Sequence, residues 1–412
     1  VPQLISLLGL VVLIALAWAL SNNRRRFPWR TVIWGVGLQF TIALFILHTP
    51  VGLKIFAGIQ DAVKHLGDFS DEGAKMAFGP LATTDTLAKA FGEGAFVFAV
   101  SISATIILIS ALSSLLYHWG ILQRVVHAMA WVMRKAMGTT GSESLAAASN
   151  IFLGQTEAAL IIKPYLMHMT RSEIMALMTS GMATIATGVM VIYPKLGVDA
   201  GHILTASVLS APAALLISKI MFPETQKSET SATASAAVER TAVNSVDALC
   251  RGTSEGVMLA INVLGMLIAF VAIVALANAL IGWLQTLVGV THPLTLQTML
   301  GWVNAPFAWI IGIPAKDCVL VGQCLGERIV LNEFIGYISL GQHKAELDPR
   351  SMTLATYALC GFANFSSIAI QIGGIGALAP ERRGDLAQLG LRSMVAGLLA
   401  CYLTATVVGV LL

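Results

Sequence analysis

Charge is scarce in this sequence. Asp, Glu, Lys and Arg make up 11% of its 412 residues, against roughly 25% in a soluble domain, and so few charges cannot coat a water-facing surface. Cysteine is also sparse. The five present, Cys250, Cys318, Cys324, Cys360 and Cys401, are scattered, mostly within apolar segments, which excludes a disulfide framework and a thiolate metal site; they read as small core hydrophobes. The eight histidines lack ligand spacing and lie mostly near the ends of apolar segments or in loops, where snorkelling or interfacial roles are expected. A net charge of +3, spread over loops, gives no nucleic acid a basic surface to bind.

What is present is apolar sequence in blocks. Hydrophobic residues reach 56% and the mean hydropathy is +0.79. Charge-free stretches cover 2–20, 31–48, 94–117, 174–194, 200–218, 256–289, 352–379 and 393–412, close to the ~20 residues that cross a bilayer at about 1.5 Å per residue. That is too many for a single anchor or a signal peptide. The first stretch is followed by Arg24, Arg25, Arg26 and Arg30 rather than by a small-residue cleavage site, so it reads as a retained span. The same arginines put this loop in the cytoplasm and the N-terminus outside.

Not every segment is a plain span. Residues 52–93 mix apolar positions with Lys54, Asp61, Lys64, Asp68, Asp71, Glu72 and Lys75, the pattern of helix lying at the membrane interface, and 119–136 carries Arg124, Arg134 and Lys135 along the cytoplasmic face. The region 141–166 is apolar overall yet holds Ser142, Ser144, Ser149, Asn150, Gly154, Gln155, Thr156 and Glu157. Irregular backbone and carboxylates persist at membrane depth only inside protein or along a watery cavity, which predicts a re-entrant hairpin. Residues 223–253, with a Ser/Thr/Ala-rich core at 228–237, read as a cytoplasmic join between two halves. The long apolar run 256–315 is expected to break near His292-Pro293 and again near Pro306 and Pro314.

The second half echoes the first. Residues 311–340 form another short apolar segment with a carboxylate, Glu333, ahead of two spans. In each half the span after the hairpin is interrupted by glycine and polar residues: Gly181, Thr184, Thr187 and Gly188 in one, Gly361, Asn364, Ser366, Ser367 and Gln371 in the other. Paired interrupted segments are the sequence pointer to inverted repeats with a site at the midplane. Lys163 and Arg171 place the first hairpin's entry in the cytoplasm; counting onward places the second outside and returns Arg382 and Arg383 to the cytoplasm.

Glu157 and Glu333 carry the most information, because a charge in the hydrocarbon region costs at least about 2.5 kcal/mol. Their polar neighbours favour a shared solvated pocket over a purely structural pin. Arg328, inside the second hairpin, is expected to pair with Glu327 or to reach the outer rim, and is not assigned to substrate. Trp29, Trp34, Tyr193 and Tyr402 read as interfacial belt residues.

The runs Asn150-Ile-Phe-Leu-Gly-Gln-Thr-Glu-Ala158, Leu331-Asn-Glu-Phe334 and Cys360-Gly-Phe-Ala-Asn-Phe-Ser-Ser-Ile-Ala-Ile370 resemble, in order and in element, the signatures of the concentrative nucleoside transporters, and the resemblance covers the whole chain. It implies an all-α polytopic membrane protein of the bacterial inner membrane, not an enzyme, with eight transmembrane helices, two opposed re-entrant hairpins, an inverted repeat and an elevator mechanism. It also implies a homotrimer that imports a nucleoside such as uridine with sodium. Residues 1–140 would be mainly scaffold, 141–222 and 311–412 the transport unit, and 223–310 a cytoplasmic loop and scaffold span. Gln155, Thr156 and Glu157 would face the nucleobase and Val189 would pack on it; Glu333, Asn364 and Ser367 would hold the ribose, with Phe362 beside the sugar. Asn150, Leu153, Thr184 and Ile185 would bind sodium.

Some members use protons instead; Asn150 and Thr184 tilt the reading to sodium. Two other classes fit the residues less well. An intramembrane lipid-phosphate hydrolase needs a cation or metal beside its acid, and no Arg, Lys or His accompanies Glu157. A channel does not need paired, asymmetric polar sites.

Overall fold

The structure is a computed structural model that describes residues 2–92, 97–190, 192–230, 242–287, 289–290 and 293–412. Among these residues it is all-helical. The first half runs α1 (Pro2–Ala19), α2 (Trp29–His48), α3 (Pro50–Phe78), α4 (Thr84–Phe91), α5 (Phe98–His118), α6 (Ile121–Met137), α7 (Gly141–Asn150), α8 (Glu157–Ile161), α9 (Arg171–Ala183), α10 (Thr187–Met190) and α11 (Ala200–Met221). The second half runs α12 (Ser245–Leu287), α13 (Leu296–Ile311), α14 (Cys318–Val330), α15 (Glu333–Gln342), α16 (Pro349–Leu359), α17 (Phe365–Leu378) and α18 (Arg383–Leu411).

Six helices are long and apolar enough to cross a membrane: α1, α2, α5, α11, α12 and α18, the last with the short turn before it. They differ in what they cover. Helices α11 and α18 bury most of their residues, whereas α12, at 43 residues, leaves most of its apolar surface uncovered by the chain. The core is therefore built around α11 and α18, with α9 and the two hairpins packed on them.

Two helical hairpins, α7–α8 and α14–α15, precede the two interrupted helices α9/α10 and α16/α17, as the paired segments predict. Local chemistry sets these ends. Thr170 and Glu173 form a reciprocal capping box at the start of α9, with Thr170 N–H to Glu173 Oε2 at 2.7 Å. Asn332 caps α15, and Asn364 caps α17 by accepting the Ser367 N–H at 2.9 Å. Helix α14 lies backbone to backbone on α13: a Cβ at Gly322 would come within 2.5 Å of the Gly301 carbonyl oxygen, the close approach that small residues permit between apolar helices.

The base of the first hairpin is held by charge. Lys219, near the end of α11, reaches Glu143 at 2.6 Å and Glu224 at 3.7 Å, and both Lys219 and Glu143 are buried. Ser228 and Thr230, in the chain after α11, donate to Glu173, so this polar segment folds back over the entry to α7 and α9.

Three expectations need correction. Pro306 does not end a helix: it lies inside α13, which runs on to Ile311, because the one hydrogen bond lost to the ring is outweighed by the packing of α13 along α14. Tyr193 and Tyr402 are not belt residues. Both are buried, Tyr193 among the rings of Phe334 and Tyr337 and Tyr402 beside Arg328, while Trp29 and Trp34 are exposed as predicted. Arg328 neither reaches a rim nor pairs with Glu327. It is wholly buried and donates to Ala358 O at 2.7 Å, while Glu327 accepts from Gln323. Residues 94–96 of the third predicted span, much of the Ser/Thr/Ala-rich core and His292 lie outside the described residues.

Candidate functional site

The site forms where both hairpin turns meet both helix interruptions. In the second half, α14 ends at Val330 and α15 restarts at Glu333; α16 ends at Leu359 and α17 restarts after Asn364. Glu333 is therefore at the N-terminus of α15, and the cap of α17 faces it: Asn364 Nδ2 donates to Glu333 Oε2 at 3.2 Å. The positive ends of two helix dipoles converge on one carboxylate. Tyr193, just beyond α10, donates its hydroxyl to Glu333 Oε1 at 3.4 Å. Glu333, Asn364 and Tyr193 are all buried, so the carboxyl group is an acceptor enclosed with an amide and a phenol donor.

The first hairpin supplies the other side. Between α7 and α8 the chain leaves helical geometry over 151–156, and the turn aims its polar side chains at neighbouring elements. Gln155 is buried and donates to Ser367 Oγ at 3.3 Å, and Gln371 Nε2 donates to Gln155 Oε1 at 3.0 Å and to Met178 O at 3.1 Å. These bonds need close packing, and Gly181 permits it: a Cβ there would lie 2.7 Å from Gln371 Nε2 and 2.9 Å from Gln155 Cβ. Glu157 differs from Glu333. It is exposed, and its described hydrogen bond is from Thr156 Oγ1 at 3.3 Å. Val189, buried in α10, and Phe362, half-buried in the second interruption, offer apolar surface.

The four residues expected at the ion fall into one neighbourhood, with different roles. Asn150 is fully buried at the end of α7; its Nδ2 donates to Ala146 O and to Ser180 Oγ at 3.1 Å. Its Oδ1 accepts no hydrogen bond, and a buried carbonyl oxygen left over in this way is what a hard cation without hydrogen-bond needs would use. Thr184 follows α9 and gives its hydroxyl to Ser180 O at 2.9 Å. Its own carbonyl accepts from Phe362 N–H at 3.3 Å, tying one helix interruption to the other. Ile185 is buried in the interruption and Leu153 lies in the hairpin turn; each could contribute only a backbone carbonyl. Among the described residues no group of His, Cys, Asp and Glu is arranged to chelate a metal ion, so an ion here must be one satisfied by neutral oxygens.

Sequence reasoning missed Tyr193 and Gln371 as site residues. Gln371 had a signal, since an amide in the middle of an apolar helix requires partners. Tyr193 had none, because its position beside Pro194 and Lys195 resembles an interfacial anchor.

An all-helical chain with apolar spans, two broken helices and a buried polar centre between them is a membrane transporter. The comparisons make the class particular. The family described as "Na+ dependent nucleoside transporter" matches through its C-terminal part over residues 202–409 and its N-terminal part over 8–81, and a domain described as "Nucleoside recognition" matches 99–199. The chain is 40% identical to a transporter of Haemophilus influenzae over 98% of this chain and 96% of that one, and 40% identical to transporter YutK of Bacillus subtilis over 98% of each. It is 37% identical to sodium/nucleoside cotransporter 1 of Rattus norvegicus over 99% of this chain, which spans 64% of that longer protein. The structure of CNTnw in an inward-facing, substrate-bound state superposes with a TM-score of 0.94 at 35% identity, covering 100% of this chain and 98% of that one. A CNTnw variant in an outward-facing state superposes with a TM-score of 0.93 at 34% identity, covering 99% and 97%. The chain belongs to the Na+-dependent nucleoside transporter family. Its members are transporters and not enzymes, and sodium is the coupling ion.

Proposed function

We propose that the protein is a secondary active symporter that imports nucleosides, uridine among them, coupled to an inward sodium gradient across the bacterial inner membrane. One observation carries this reading. Glu333 is a buried carboxylate at the meeting point of two helix N-termini, with only an amide and a phenol as described hydrogen-bond partners, and ribose hydroxyls are donors suited to it. Asn364 and Ser367 complete the sugar side, with Phe362 against the ring. Gln155, Thr156 and Glu157 meet the base edge, partly through water, and Val189 packs on it. Sodium takes Asn150 Oδ1, the Thr184 hydroxyl and the carbonyls of Leu153 and Ile185.

The same reading gives eight spans, the six long helices plus the two interrupted ones, with both hairpins re-entrant from opposite sides and three copies in the assembly. Residues 141–222 and 311–412 travel together as the transport unit. Residues 1–140, in the main, and the helix within 223–310 stay as scaffold; for α5 and α12 this is supported by their packing along each other and by the apolar face that α12 leaves uncovered.

The test is radiolabelled uridine uptake into proteoliposomes with sodium and proton gradients imposed separately. Saturable uptake that requires inward sodium is expected, with free uracil a poor competitor, and Asn150→Leu is expected to abolish sodium stimulation. Uptake driven equally well by protons alone, or a mutant stimulated like wild type, would reject the ion assignment. Competition by uracil equal to that by uridine would reject the sugar site.

A further inference from the structure

Arg328 has no role in the binding site described above, yet among the described residues it is the largest wholly buried side chain. A guanidinium removed from water without a carboxylate in contact is costly, and among the described residues Arg328 makes no ion pair. Its Nη1 donates to Ala358 O at 2.7 Å, and its Cζ stands 5.3 Å from the centroid of the Tyr402 ring. Among the described residues, Nε and Nη2 are buried without a hydrogen-bond partner.

The surroundings explain how the charge is tolerated. Arg328 lies in the last turn of α14, and Ala358 lies in the last turn of α16, so the cation sits at the negative ends of two half-helices. Immediately beyond, Glu333 and Asn364 open α15 and α17 and place the anion at the two positive ends. The two interruptions thus share one charge pattern, with a cation behind and a carboxylate in front. No direct bond joins Arg328 to Glu333; Arg328 is bonded to the end of α16 and Glu333 to the start of α17.

We propose that Arg328 is the positioning residue of the sugar-facing half of the site. It braces the carbonyl end of α16 with a charged donor, which sets where Asn364 begins α17 and so where the amide that holds Glu333 stands, without itself touching substrate. This rests on Glu333 being the ribose ligand.

The experiment compares affinities for uridine and 3′-deoxyuridine, by competition on the purified protein, in wild type, Arg328→Gln, Arg328→Lys, Glu333→Gln and the Arg328→Gln/Glu333→Gln double variant. Arg328→Gln is expected to weaken uridine by about tenfold or more, as loss of a charge-assisted hydrogen bond does, and to weaken the deoxy analogue far less. Arg328→Lys, which keeps the charge, is expected to hold the wild-type ratio of the two affinities. The double variant is expected to be no weaker for uridine than Glu333→Gln alone, because both changes remove the same interaction. A residue that only supported packing would weaken both ligands alike. An unchanged ratio in Arg328→Gln, a folded Arg328→Lys that loses the ratio, or losses that multiply in the double variant would each overturn the proposal. Where Arg328→Gln does not fold, the Arg328→Lys ratio decides. If Glu333→Gln alone keeps the wild-type ratio, the sugar-site reading fails first, and the role of Arg328 fails with it.

Discussion

The two hairpins occupy matching places in the two halves but differ in how they treat the carboxylate at the tip. The first, α7–α8, is anchored at its base, where Glu143 and Lys219 are buried together, and its tip carboxylate, Glu157, is exposed. The second, α14–α15, encloses its tip carboxylate, Glu333, and Arg328, which precedes it, is buried as well. An exposed carboxylate keeps its water and discriminates weakly; a buried one forfeits water and depends on the groups aimed at it. A doublet of this kind suits a solute with one variable end and one constant end, as a nucleoside has in its base and its ribose.

The sharpest way to break the comparison is at the first hairpin's base. Lys219→Met leaves Glu143 buried without its cation and is expected to cost about 3–5 kcal/mol of stability, read as a large fall in melting temperature in detergent. Lys219→Met with Glu143→Gln should recover much of it, since the unpaired charge is then gone. At the tips the effects move to binding. Glu333→Gln is expected to weaken uridine about tenfold to a hundredfold, whereas Glu157→Gln should change it by about threefold at most, as for other exposed carboxylates. Equal losses would erase the distinction between the hairpins. Tyr193→Phe removes one hydroxyl from the enclosed carboxylate and should weaken uridine about fivefold, near 1 kcal/mol, with little change in melting temperature. The smallest effect is expected at Gln371→Ala, which frees Gln155 and should alter uridine affinity about twofold, shifting relative preference among bases more than affinity for the sugar.

The helical framework was legible because bilayer spans and interrupted helices leave plain marks. Runs without charge gave the long helices, and Gly181–Thr184 and Gly361–Asn364 gave the interruptions to within a few residues. The charge cluster under the first hairpin was not legible: Glu143, Glu173 and Lys219 sit in separate segments, and only the fold brings them to 2.6 Å for the pair that matters most. Tyr193 and Arg328 were misjudged for one reason. Each belongs to a residue type that normally places its polar tip in water or headgroups, and each is instead enclosed by partners from a distant element, Phe334 and Tyr337 for one, Ala358 and Tyr402 for the other. Pro306 misled in the opposite direction, because helix–helix packing tolerates a ring that local rules would treat as a stop.

The hydrogen bond from Phe362 N–H to the Thr184 carbonyl makes the two interruptions one strut, with the proposed ion ligands at one end and the sugar contact at the other. A strut of this kind is an energetic account held in common. Whatever factor sodium contributes to the affinity for nucleoside, nucleoside must return to the affinity for sodium. The coupling can therefore be measured from either direction, by titrating uridine at several sodium concentrations or sodium at several uridine concentrations, and the two factors must agree.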